Sequence, residues 1–130
     1  MILMSRTLST VLVVDAVVSG AAGVALVAGS FFLAGFLGLP PALMLWAGIA
    51  LAPWTAVLLL ISRQSRISKA AVWAVIGVNL AWVAGSLFVA FGLAFAPTLF
   101  GKVFIVAQAA TVALFAELQA LGLKRSAAAA

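Results

Sequence analysis

From Leu8 to Ala34 the sequence carries one charged side chain, Asp15, and three further stretches, residues 42–61, 70–95 and 103–123, carry between them only Glu117. A span across the hydrocarbon layer of a bilayer takes about 20 predominantly apolar residues. Each stretch meets that length, so each reads as a transmembrane helix. A soluble fold cannot bury such runs: 68% of the 130 residues are hydrophobic and 7% charged, far more apolar surface than a small core can hide. The expectation is an all-α polytopic membrane protein, a compact bundle of four spans forming one domain over residues 1–125. The last residues, Ser126 followed by four alanines, read as a tail outside the fold.

The breaks between spans differ in charge, and the difference threads the chain. Residues 35–41 are uncharged and residues 96–102 carry only Lys102, whereas residues 62–69 hold Arg63, Arg66 and Lys69. Arg6 precedes the first span; Lys124 and Arg125 follow the last. By the positive-inside rule the middle loop and both termini face the cytoplasm. These cations account for the net charge of +5 without a nucleic acid partner. They also lie where membrane lipid can be held, at about 1 kcal/mol per residue on an anionic leaflet. A cleavable signal peptide is the competing reading of the start, because the small residues 18–22 resemble a cleavage site; Asp15 interrupts the apolar region such a peptide requires.

One phrase occurs twice. Val27, Ala28, Gly29, Ser30, Phe32, Ala34, Leu37 and Pro41 recur 56 positions on as Val83, Ala84, Gly85, Ser86, Phe88, Ala90, Leu93 and Pro97, and Thr55 recurs as Thr111. Two tandem helical hairpins inserted in the same sense, related by a pseudo-two-fold axis along the membrane normal, produce such a pattern. So does chance self-matching in a sequence this rich in Ala, Val, Leu and Gly. On either account small residues let backbones approach in lipid. Ala16 with Gly20, Ser19 with Gly23, and Gly77, Ala81 and Gly85 therefore read as packing stripes, with the first and third spans in core contact.

Chemistry is bounded by what the chain lacks. It has no His, Cys or Tyr and two acidic residues in all. Thiolate nucleophiles, Ser-His-Asp triads and almost every transition-metal site are thereby excluded, and no phosphate-cradling glycine loop occurs. The expectation is no enzyme, no cofactor and no metal.

Polar side chains at membrane depth each need a partner or a purpose. Counted from the span ends, Asp15 and Asn79 lie about 10–14 Å in, and Glu117 falls at a similar level on the last span. Asp15, Asn79 and Glu117 are expected to share one layer within snorkelling reach of Arg63, Arg66 or Arg125. Asp15, Ser19 and Gly23 form one helical stripe and Asn79, Trp82 and Ser86 another; facing each other they would line a polar seam closed by an indole. This seam, with Glu117, is the candidate ligand or proton site. The competing reading of Asp15 is structural: an ion pair with a cytoplasmic Arg, or a hydrogen bond to Asn79 that fixes helix register. Gln108 and Thr111 are expected to bond between helices. Trp46 and Trp73 read as interfacial anchors, and Pro53 predicts a kink in the second span whose freed carbonyl near Ile49 neighbours or Thr55 must satisfy.

Asn79-Leu80-Ala81-Trp82 followed by Gly85-Ser86, then Gln108-Ala109 and the run from Phe115 to Leu123, resemble motifs of small uncharacterised four-helix bacterial inner-membrane proteins. That resemblance covers most of the chain and implies a fold but no activity. In size, span number and the lone carboxylate of its first span the chain is also similar to small multidrug resistance transporters, which implies proton exchange for cationic drug at Asp15. It departs from them in having Asp where they have Glu, in lacking Tyr, and in a parallel repeat where they form antiparallel dimers. Two functional classes follow. One is a non-catalytic membrane module that packs against lipid, a second copy in a homodimer, or a membrane-protein partner. The other is a proton-coupled carrier or hydrophobic-ligand binder using Asp15.

Overall fold

The computed structural model describes residues 1–129. Four helices are long and apolar enough to cross a membrane: α1 (Arg6–Ala28), α3 (Pro41–Ser62), α4 (Lys69–Phe91) and α5 (Leu99–Ala129). The first span, expected as one helix to Ala34, breaks at Gly29 and resumes as the short α2 (Ser30–Leu37). The second copy passes Gly85 and Ser86 without a break and stays helical to Phe91, where α4 ends four residues short of the expected span and leaves Leu93 and Pro97 outside it, so the two copies differ in local structure. Gly38 ends α2 in the left-handed region at φ 71, where a Cβ would also lie 2.8 Å from the Thr98 backbone nitrogen; both conditions select glycine. Pro41 then opens α3 at a position where its missing N–H is no loss.

Neighbouring spans pair as two hairpins, α1 against α3 and α4 against α5, and α1 packs its second face on α5. The expected core contact between the first and third spans is therefore replaced by contacts of α1 with α3 and α5. Glycine placement explains the change. A Cβ on Gly48 would stand 2.9 Å from the Gly23 carbonyl oxygen, and one on Gly122 would stand 2.9 Å from Leu8 Cα, so the backbones meet at these points. Gly77 and Gly85 of α4 have no neighbour within 4 Å where a Cβ would be, and with Ala81 they face outward.

Buried positions alternate by four and three residues along each helix: Leu8, Leu12 and Asp15 on α1; Val72, Ile76 and Asn79 on α4; Ala116, Gln119, Leu123 and Ser126 on α5. This spacing of 3.5 keeps one seam of each helix turned to its neighbours. One apolar cluster, with Leu8, Leu12, Leu58, Val72 and Ala116, fills the half of the bundle nearest the chain ends, and a second, with Leu37, Met44, Ala90 and Ile105, fills the other half.

A clasp gathers the basic end. Ile2–Leu3 (β1) pairs antiparallel with Arg66–Ile67 (β2), Ile2 opposite Ile67, and the Met4 amide donates to the Ser65 carbonyl at 2.9 Å. Residues 126–129, expected outside the fold, continue α5. Ser126 is buried, and its hydroxyl accepts from the Ser5 amide at 3.0 Å. Thus Arg6, Arg63, Arg66, Lys69, Lys124 and Arg125 share one end of the bundle, as the threading requires. Pro53 lies inside α3 without ending it, and Thr55 donates to the Leu51 carbonyl at 2.8 Å rather than serving the carbonyl near Ile49.

Candidate functional site

Seven residues beyond Leu8, α1 turns Asp15 into the bundle, where it is 1% exposed. Three donors converge on its carboxylate. Gln119 Nε2 donates to Oδ2 at 2.7 Å, Asn79 Nδ2 donates to the same oxygen at 3.0 Å, and Ser19 Oγ donates to Oδ1 at 3.1 Å. Asn79 Nδ2 also donates to Gln119 Oε1 at 2.9 Å, closing a ring of three side chains from α1, α4 and α5. Asn79 and Gln119 are buried as deeply as Asp15. A carboxylate offers about four lone-pair directions on its two oxygens, and three are used here.

The layer differs from expectation in its third member. Gln119 takes the place predicted for Glu117, which is exposed on the outer side of α5. Two residues advance a helix by about 200°, so only one of the pair can face inward. Ala116 and Leu123 flank Gln119 at three and four residues and fix which one does. That phase was the available signal for Gln119. Nor does an arginine reach the carboxylate: Asp15 is held by two amides and a hydroxyl, Arg63 and Arg66 are exposed, and Arg125 donates to Thr7 Oγ1 at 3.3 Å.

Trp82 and Ser86 form a separate cluster with Gln108, not a seam with Asp15. Trp82 Nε1 donates to Gln108 Oε1 at 2.8 Å, Gln108 Nε2 donates to Ser86 Oγ at 2.8 Å, and Ser86 donates to the Trp82 carbonyl at 2.7 Å. The first two bonds tie α4 to α5 within one hairpin. Gly23, placed on the same seam by its spacing, meets Gly48 and Leu51 of α3 instead. Gln108 bonds between helices as expected, whereas Thr111 is exposed and donates to the Ala107 carbonyl of its own helix at 3.0 Å. At the end away from the basic loop, Thr98 accepts from the Gly101 amide and donates to the Phe36 carbonyl, joining the start of α5 to α2.

Two grooves open at the basic end. One, lined by Ser5, Arg6, Ser9, Thr10, Arg63 and Gln64 among others, is polar; the other lies between Lys69 and Trp73 of α4 and the last turns of α5. Neither is lined by Asp15, Asn79 or Gln119. The members of the Asp15 layer are bonded to one another, and its position is where the α1–α3 and α4–α5 hairpins meet. No protein-family model matches this chain, and comparisons with curated proteins and with solved structures gave no match.

Proposed function

We propose that this chain is a non-catalytic multi-pass module of the bacterial inner membrane, with the basic end and both termini in the cytoplasm, whose Asp15 layer latches two tandem hairpins into one bundle. The observation that carries this reading is the ring of Asp15, Asn79 and Gln119. Three spans from both hairpins contribute to it, three donors are aimed at the carboxylate, and neither groove at the basic end is lined by it. A polar contact in lipid is a register device: sliding one helix by a turn would leave a buried carboxylate or amide without a partner. The finished bundle presents apolar side chains such as Phe31, Val24 and Phe88 outward, as a module packed against lipid or a partner does.

A second reading, a proton-coupled carrier or hydrophobic-ligand binder, is favoured by one feature of the same site. The carboxyl group is buried among neutral partners with no arginine beside it, and an ionisable side chain kept at membrane depth is often functional. Asp15→Asn separates the two in mild detergent and in proteoliposomes. For a latch, three amides can reorient and share hydrogen bonds, so the variant keeps or gains thermal stability and wild-type vesicles move no protons when cationic or lipophilic compounds are added. Compound-driven proton release that disappears in Asp15→Asn would replace the latch by the carrier.

A further inference from the structure

The groove between the first turn of α4 and the last turns of α5 stands outside the Asp15 layer and has a different character. Its volume is about 520 Å³, and its walls include Trp73, Ala120, Leu121 and Ala127, with Lys69 and Lys124 among its lining residues. The two ammonium groups come from different helices. Among the described residues neither lysine has a carboxylate partner: Asp15 is engaged by three donors, and Glu117 sits seven residues from Lys124, about 10 Å along α5. Trp73 is 56% exposed beside Lys69, an indole at the level where aromatic rings meet headgroups.

We infer that this groove binds an anionic phospholipid, its phosphate bridged by Lys69 and Lys124 and one acyl chain lying against Trp73 and Leu121. Charge selects this occupant over a second copy of the chain, which in a symmetric contact would bring two more lysines to the same mouth. The neighbouring groove at Arg6 and Arg63 is equally cationic but is lined by serines, Thr10 and Gln64, with little surface for an acyl chain. The inference does not rest on the latch, because Asp15→Asn leaves Lys69 and Lys124 in place.

Native mass spectrometry of the full chain, released from detergent containing equal phosphatidylglycerol and phosphatidylcholine, tests it. The wild type is expected to retain one phosphatidylglycerol in preference to phosphatidylcholine. Lys69→Gln with Lys124→Gln weakens that retention about thirtyfold, whereas Arg6→Gln with Arg63→Gln, which removes the same charge from the same end, does not. Equal loss in both double variants would mean that the field of the whole end, not the groove, holds the lipid. Equal retention of phosphatidylcholine, competition by glycerophosphate as effective as the lipid, or a lipid-free dimer in place of the lipid-bound monomer would likewise overturn it. All four substituted side chains are exposed, and a matching thermal midpoint shows that each variant is folded.

Discussion

At Gln119 one side chain does two things: it donates to Asp15 and accepts from Asn79. Gln119→Leu keeps nearly the same volume but removes both, leaving buried donors and acceptors short of partners at a cost of about 1–3 kcal/mol. Glu117→Gln, two residues earlier on the exposed face, is expected to leave stability unchanged. Thermal unfolding of the two variants side by side checks the assignment, and the reverse order of effects would return Glu117 to the layer. Asp15 and Asn79 were legible because each is a lone polar residue recurring on an apolar stripe, Leu8 and Leu12 before one, Val72 and Ile76 before the other. The last span offers Gln108, Thr111, Glu117 and Gln119 within three turns, and polarity alone does not rank them. Only the phase set by Ile105, Ala109, Ala116 and Leu123 does. Charge drew attention to Glu117, and in lipid geometry outranked charge.

Helix pairing follows from where the backbone can approach. Gly48 has Val27 Cγ2 at 2.8 Å and the Gly23 carbonyl at 2.9 Å from the place a Cβ would occupy, so Gly48→Ala must push α1 and α3 apart, at about 1–3 kcal/mol. Gly77→Ala meets nothing and removes backbone freedom from the unfolded chain, which gains up to about 1 kcal/mol. Opposite signs in unfolding measurements on these two variants are the expected result; destabilisation by Gly77→Ala would point to a contact on the outer face of α4. The four spans themselves were readable from length and apolar content, because the bilayer imposes a single length scale. Their partners were not. Small-residue stripes occur on α1 and α4 alike, and whether a stripe is used depends on which helix the connecting turn delivers to it. The helical continuation through Ser126 was hidden for a related reason, because Ser126 is held by a distant contact with the Ser5 amide.

Across the whole molecule, the clasp of β1 with β2 and the bond from Ser5 to Ser126 draw the N-terminus, the middle loop and the last turn of α5 to one end. That end carries six of the seven cations, and Lys102 alone sits at the other. Because α5 is 31 residues long, it extends about 46 Å, beyond a hydrocarbon layer of about 30 Å, so Lys124 and Arg125 can stand at the headgroups while Leu99 still reaches the far side. The proposed threading rests on this asymmetry and is open to a direct measurement, since the chain contains no cysteine to give background. Gln64→Cys in the exposed middle loop should react with a membrane-impermeant maleimide only in inverted vesicles, whereas Lys102→Cys should react in intact cells with permeabilised outer membranes. Labelling of both positions from one side would break the four-span order. Exchange of the two patterns would keep the bundle and invert it, which would put the six cations on the outer face against the positive-inside rule.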